Sequence, residues 1–214
     1  MDHHADHAQH SQRHGHQASL ADGLDFVNTL VHGRAGDREE LSDLSSALRW
    51  LRQHELLHSF MVDEQLHLHA GNAAAEQRVL ARIRRVRAAL RELLNATVER
   101  RPADAAALRE VNRALRTQYV YELVPAPDGV SLDHRHDGDP IAGAVARLAE
   151  AISRELTQAD AGRLRVCAND ECRWVFFDTS PAGRRKWCDM SVCGNRAKVA
   201  RHRARQRSSA SSTA

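Results

Sequence analysis

Aromatic side chains are scarce in this chain, whose 214 residues hold four Phe, three Trp and two Tyr. Lysine is scarcer, at two residues against 29 arginines. With the abundant alanine, that imbalance points to GC-rich bacterial coding and carries no functional meaning. No apolar run approaches the roughly 18 residues that a membrane-spanning helix requires. The start of the chain is polar and rich in histidine. It lacks an apolar stretch leading to a small-residue cleavage site, so it does not read as a secretory signal. The expected location is the cytoplasm. Catalytic signatures are missing as well: there is no H-E-x-x-H, G-x-S-x-G or phosphate-loop motif. The expectation is a protein that is not an enzyme. Cysteine is confined to four residues within one 27-residue window.

What the chain does have is charge, unevenly placed. The formal net charge is only +3. From Arg163 to Arg207, however, twelve basic residues face four acidic ones, a balance of +8, and the rest of the chain carries −5. All four cysteines fall in the basic part, with four of the nine aromatics (Trp174, Phe176, Phe177, Trp187). Such asymmetry suggests two modules, a basic one suited to a polyanion and an acidic one that is not.

Residues 1–17 contain six histidines and nothing that packs. They read either as a weak metal-capturing tail or as an unanchored terminus. From Leu20 the pattern becomes helical: Leu20, Leu24, Phe26, Val27 and Leu30 share a face. Ser42 or Asp43 can cap a helix carrying Leu44, Leu48 and Leu51, with Leu56 and Leu57 past it. Glu76 to Val98 gives the clearest helix, with Val79, Ile83, Val86, Leu90, Leu93 and Leu94 recurring at three and four residues. Pro102 ends it, and Asp104 opens a shorter helix. Tyr119 to Val124 and Val130 to His134, around a Pro-Ala-Pro-Asp-Gly turn, predict a β-hairpin. Asp139-Pro140 starts a helix through Ile141, Val145, Leu148, Ile152 and Leu156. Gly162 marks the expected domain boundary, and the Ser/Ala-rich stretch from Ser208 reads as unstructured.

Cys167 and Cys172 enclose four residues, fifteen separate Cys172 from Cys188, and Cys188 and Cys193 again enclose four. Two close thiol pairs at this separation suit a structural zinc ion, because four thiolates complete its tetrahedron and leave no open position. Two disulfides are the competing reading, disfavoured in a reducing compartment. The expected local layout is a turn at Cys167–Cys172, a strand at Trp174–Asp178 and a second strand at Arg185–Cys188. A helix from Arg196 follows, with Cys193 near its N-terminus. A unit of about 45 residues is too small to fold on its apolar core alone, so metal binding and folding should be coupled.

The run Arg184-Arg185-Lys186-Trp187-Cys188, followed by Cys193-Gly194-Asn195-Arg196-Ala197-Lys198-Val199, resembles the CGNR zinc-finger family. Leu24-Asp25-Phe26-Val27-Asn28-Thr29-Leu30 resembles the start of the ABATE domain that usually precedes that finger. The resemblance spans about residues 18–207. It implies an α+β protein, with an N-terminal antiparallel sheet surrounded by helices (18–162) and a small treble-clef finger (163–207). It further implies a bacterial stress-responsive transcription regulator. Since only one hairpin is evident by pattern, further strands are expected in segments that read as loop or helix.

Several functional readings follow. Arg184, Arg185 and Lys186 before the third cysteine, and Arg196, Lys198, Arg201, Arg203, Arg205 and Arg207 on the last helix, suit DNA phosphates and guanine edges. The helix is basic nearly all round, which favours backbone contact over a single base-reading stripe. The bland alternative is a solvated basic helix, and RNA or protein contact is the other use of such a finger. The four finger aromatics read as its minimal core or its seam with the first domain, rather than as base-stacking platforms. Asn28, Thr29, His32 and Arg34 either line a polar pocket for a small-molecule effector or, for Asn28 and Thr29, satisfy backbone groups at a helix end. His54, His58, His67 and His69 invite a metal reading but lack an acidic partner at a recognisable offset. One small finger grips few base pairs, so a homodimer is plausible on geometric grounds.

Overall fold

The structure, a computed structural model, describes residues 17–117, 119–126, 129–136 and 138–211. The histidine-rich start therefore lies outside the described residues, except for Gln17. Along the chain run α1 (Leu20–Asn28), β1 (Leu30–Val31), β2 (Arg38–Glu39), α2 (Leu44–Gln53), α3 (Ser59–His69), α4 (Ala73–Glu99) and α5 (Ala105–Leu115). There follow β3 (Tyr119–Ala126), β4 (Gly129–His136), α6 (Pro140–Leu156), β5 (Leu164–Val166), β6 (Val175–Phe177) and α7 (Asn195–Ser211). The class is mixed α+β. Its antiparallel component consists, among the described residues, of three two-stranded ladders: β1 with β2, β3 with β4, and β5 with β6.

Helix starts follow local chemistry. Ser19 and Asp22 form a reciprocal capping box on α1, and Asp43 and Ser46 form another on α2. Asn72 and Asp104 cap α4 and α5 by accepting from backbone N–H groups three residues on. Asp139 does the same for α6, whose first residue is Pro140. Helix α4 ends where Arg100 turns left-handed, at φ 53°. Helix α3 had no apolar period to announce it, and only Val62 and Gln65 on it are buried.

Helix α4 is the spine of one continuous core. Phe26, Leu48, Leu51, Ile83, Leu90, Leu94, Ile141, Leu148 and Ile152 are shielded almost completely from solvent. Helices α1 and α6 cross so closely that a Cβ added at Gly23 would lie 2.7 Å from Ile152 Cγ1. This core does not stop at Gly162. That glycine lies in a short 3-10 turn, Ala159–Arg163, and beyond it Leu164 of β5 and Val175 of β6 belong to the same apolar cluster. Burying side chains of this size contributes roughly 1.5–3 kcal/mol each, so the compositional boundary is not a packing boundary.

Two local expectations change. Strand β6 pairs with β5, which precedes the first cysteine (Leu164 opposite Phe177, Val166 opposite Val175). Arg185–Cys188 is not a strand, because its backbone is drawn into loop contacts: Arg185 N donates to Asp178, and Lys186 O accepts from Ala168 N. At the other end, α7 continues through Ser211, four residues into the stretch expected to be unstructured. Its Arg, Ala and Gln residues favour helix, and nothing before Ser211 breaks it.

Candidate zinc centre and basic face

The β5–β6 hairpin is closed by Cys167 N donating to Trp174 O at 2.8 Å, with Cys167 at the exit of β5. Within that turn, Cys172 N and Arg173 N both donate to Asn169 O. Cys193 sits in a single wide helical turn, Met190–Gly194, whose first N–H groups, on Ser191 and Val192, are held by the Asp189 carboxylate. These segments, with Cys188 in the bend just before the wide turn, bring the four sulfurs within 4.8 Å of one another. Cys172 and Cys188 Sγ are 3.6 Å apart, and Cys188 and Cys193 Sγ 3.8 Å. A disulfide would need about 2.05 Å. A tetrahedron with Zn–S bonds of ~2.3 Å has edges of ~3.8 Å, and the sulfur spacing fits it. Among the described residues, no carboxylate or histidine joins the quartet. The donor set fits a single structural zinc ion, which supplies folding energy and orientation and leaves no position for a reacting water.

The thiols are poised unevenly. Burial pushes Cys172 up to about 11, and burial moves Cys188 upward still further. For Cys193, burial acts in the same direction, but the Asn169 amide and the neighbouring sulfurs outweigh it and hold the thiol below its ordinary value. The amide nitrogen lies 3.6 Å from that sulfur. Metal binding must therefore offset the deprotonation of buried thiols, which couples loading to pH.

Apart from Arg173 at the seam with the ABATE domain, the described basic residues of the finger divide into two sets. Arg163, Arg165 and Arg185 face inward. Arg163 Nη1 donates to Asp178 O and Ser180 O, and Arg165 Nη2 donates to Gly183 O. The Arg185 guanidinium donates to Cys188 O at 2.5 Å and lies 5.3 Å from the Phe176 ring centroid. Arg185, expected at the nucleic-acid face, is half-buried and braces the third cysteine through this contact. Asp178 organises the same loop by accepting from Ser180 Oγ and N and from Arg185 N. The Ser180 hydroxyl is foremost in holding its carboxyl down to about 2, against the effect of burial. Phe176 and Trp187 pack around the cysteines, and Phe177 packs against the larger core. Those three aromatics form core and seam as expected, whereas Trp174 is exposed.

The second set faces outward. Arg184, Lys186, Arg196, Lys198, Arg201 and Arg203 are all exposed. Among the described residues, no finger cation pairs with a carboxylate. The side chains of Arg205 and Arg207 lie outside the described residues. Lys186, Arg196, Arg201 and Arg203 line an open groove of about 1030 Å³ between α7 and the knuckle, with Trp187 and Val192 also in its wall. Asp170 and Glu171 occupy the groove too. A Cβ at Gly194 would meet only the flexible side chain of Met190. Asn195 Nδ2 donates to Ser191 O across that turn.

Residues 163–206 match the CGNR zinc finger family. Residues 23–159 match the ABATE family, described as "Putative stress-induced transcription regulator". The chain belongs to the ABATE family. It carries a CGNR zinc finger directly behind the ABATE domain. No curated protein matches the chain.

The polar residues singled out in the ABATE domain have separate fates. Asn28 is buried and reaches into the finger: its Nδ2 donates to Val175 O at 2.9 Å, and its Oδ1 accepts from Val175 N at 3.0 Å. One side-chain amide thus stands in for a neighbouring strand beside β6. Thr29 Oγ1 donates to Phe26 O and accepts from Arg87 Nη1, both at 2.8 Å. Thr29 satisfies a backbone group at the helix end, as one expectation had it, while Asn28 satisfies the backbone of a finger strand. His32 pairs with Asp37 and borders a cavity at the seam with the finger, while Arg34 is exposed and away from it. Sequence patterns did not single out Arg87, buried and paired with Glu39, or Arg91, which donates to Arg173 O across the seam. The ABATE-domain histidines do not gather: His54 pairs with Asp22 and stacks on Trp50, and His58 stacks on Phe60. Among the described residues, the cysteines form the one cluster suited to a metal.

Proposed function

We propose that this zinc-binding regulator contacts duplex DNA through the outward basic set of its CGNR finger, and that the finger is a treble clef whose metal only folds and orients α7. The observation that carries this reading is a set of six exposed cations from Arg184 to Arg203 on one metal-braced unit, none of them in an ion pair with a carboxylate among the described residues. Such groups release counterions from a phosphate backbone. Contacts around α7 favour register and affinity over base reading. The ABATE domain is the regulatory part, and no catalytic role is assigned to the chain. Fluorescence anisotropy with duplex DNA across a salt series tests the proposal. A steep negative slope of log K on log salt is expected. Absence of binding at low salt by the zinc-loaded chain removes the DNA reading.

Exposed Met190, Val192 and Val199 beside the groove favour protein contact as the second reading. Capture of a partner that persists at high salt would distinguish it from DNA binding.

A further inference from the structure

Between the ABATE domain and the finger lies a cavity of about 290 Å³, bordered by Val27, His32, Arg87, Arg91, Glu92 and Arg173 among others. Its charged groups are not equivalent. Arg87 is neutralised by Glu39, Glu92 by Arg101 at 2.7 Å, and His32 faces Asp37. Arg91 and Arg173 have no carboxylate partner among the described residues. Arg91 donates only to neutral acceptors, Asn28 Oδ1 and Arg173 O. Its Nε–H is shielded from solvent and has no acceptor at all. Burial, with Arg173 alongside, also moves the Arg91 guanidinium below its ordinary pKa, against the opposing effect of the nearby Cys172 sulfur. Arg173 holds a left-handed backbone, at φ 52°, immediately after the zinc ligand Cys172.

Two guanidiniums without a carboxylate partner at one cavity, one of them half-buried, form an arrangement that an anion would offset. The guanidinium fork matches carboxylate and phosphate oxygens equally well. The volume is at the small end for ligand pockets, which run from about 300 to 1,000 Å³. It admits inorganic phosphate or a carboxylate of a few carbons, not a nucleotide.

We propose that this seam cavity binds a small oxyanion between Arg91 of the ABATE domain and Arg173 of the finger, and that the bound anion fixes the two domains together. The proposal rests on the regulatory reading of the ABATE domain and names the ligand chemistry of that role. A small turn of the Arg91 guanidinium gives its orphaned Nε–H an acceptor. The anion also removes the Arg173 charge from the finger's surface, so ligand and DNA affinities become linked.

The test uses the zinc-loaded full chain, with inorganic phosphate titrated against potassium chloride at matched ionic strength and followed by thermal unfolding and calorimetry. A saturable rise in melting temperature specific to phosphate is expected. In Arg173→Ala, whose side chain is exposed, affinity should fall at least tenfold, with Arg173→Lys intermediate. Equal shifts in chloride and phosphate, or a phosphate affinity unaltered by Arg173→Ala, overturn the proposal. A variant that loses affinity for duplex DNA but not for phosphate also overturns it, because the pair then serves the DNA backbone. Phosphate bound through Arg173 by a chain that binds no DNA supports the site and leaves the DNA reading to fail alone. Phosphate bound through Arg173 without any change in DNA affinity supports the site and removes the regulatory reading instead.

Discussion

Asn28 has few substitutes. A backbone N–H and C=O in a buried strand need partners, and its amide supplies a donor and an acceptor at the spacing of one residue, Val175. Asn28→Ala leaves both groups of Val175 unsatisfied, at about 1–3 kcal/mol each. Denaturant unfolding of the zinc-loaded protein should register a loss of about 2–6 kcal/mol. Glycines at two close approaches behave differently. Gly23→Ala gains up to ~1 kcal/mol of helix propensity but drives Cβ into the fully buried Ile152, and overpacking of that kind costs ~1–3 kcal/mol. A net loss is expected. Gly194→Ala meets Met190, which is 48% exposed and free to swing outward, so its melting temperature should change little. A larger drop for Gly194→Ala than for Gly23→Ala would contradict this account.

At the level of elements, legibility followed how local the signal was. Caps at Asp43, Asp104 and Asp139 and the periodicity of α4 involve residues a few positions apart, and they can be read directly. The cysteine spacing belongs to the same class. Helix α3 could not be read, since histidines occupy its surface and it buries little. The β5–β6 pairing and the Asn28 bridge were also hidden, the latter because its partners are 147 residues apart and leave no pattern in either segment. Arg87 looks like one more arginine on an arginine-rich helix, yet it pins β2 to α4 through Glu39. That pair sets an acid limit. Burial opposes ionisation of Glu39, but Arg87 prevails and its pKa is lowered. A depressed carboxyl contributes stability that is complete above its unfolded value and lost as pH falls through the folded one. Glu39→Gln should therefore flatten the stability-versus-pH curve below the ordinary glutamate range. It should also cost about 3 kcal/mol at neutral pH, because it strands a buried guanidinium.

Over the whole molecule, the near-zero net charge conceals a basic unit fastened to an acidic one. The fastening consists of Leu164 and Val175 in a shared core, the Asn28 bridge and the Arg91 contact. Chelation of zinc should therefore do more than unfold the last 50 or so residues. Hydrogen exchange is expected to accelerate in α1 and α4 as well, and the transition of the ABATE domain should move to lower temperature. An ABATE domain whose exchange and melting are indifferent to chelator would show that the shared core contributes little.

That shared core also bears on how long the chain survives in a cell. A polypeptide that loses its metal exposes leucine and valine surface belonging to the larger domain, and proteases act on such opened states. Metal scarcity would then shorten the half-life of the entire protein rather than silence one part of it. Turnover measured by pulse-chase should quicken under zinc depletion and slow again when zinc is restored. Through two side chains placed across a boundary, the abundance of a regulator becomes tied to the supply of one metal ion.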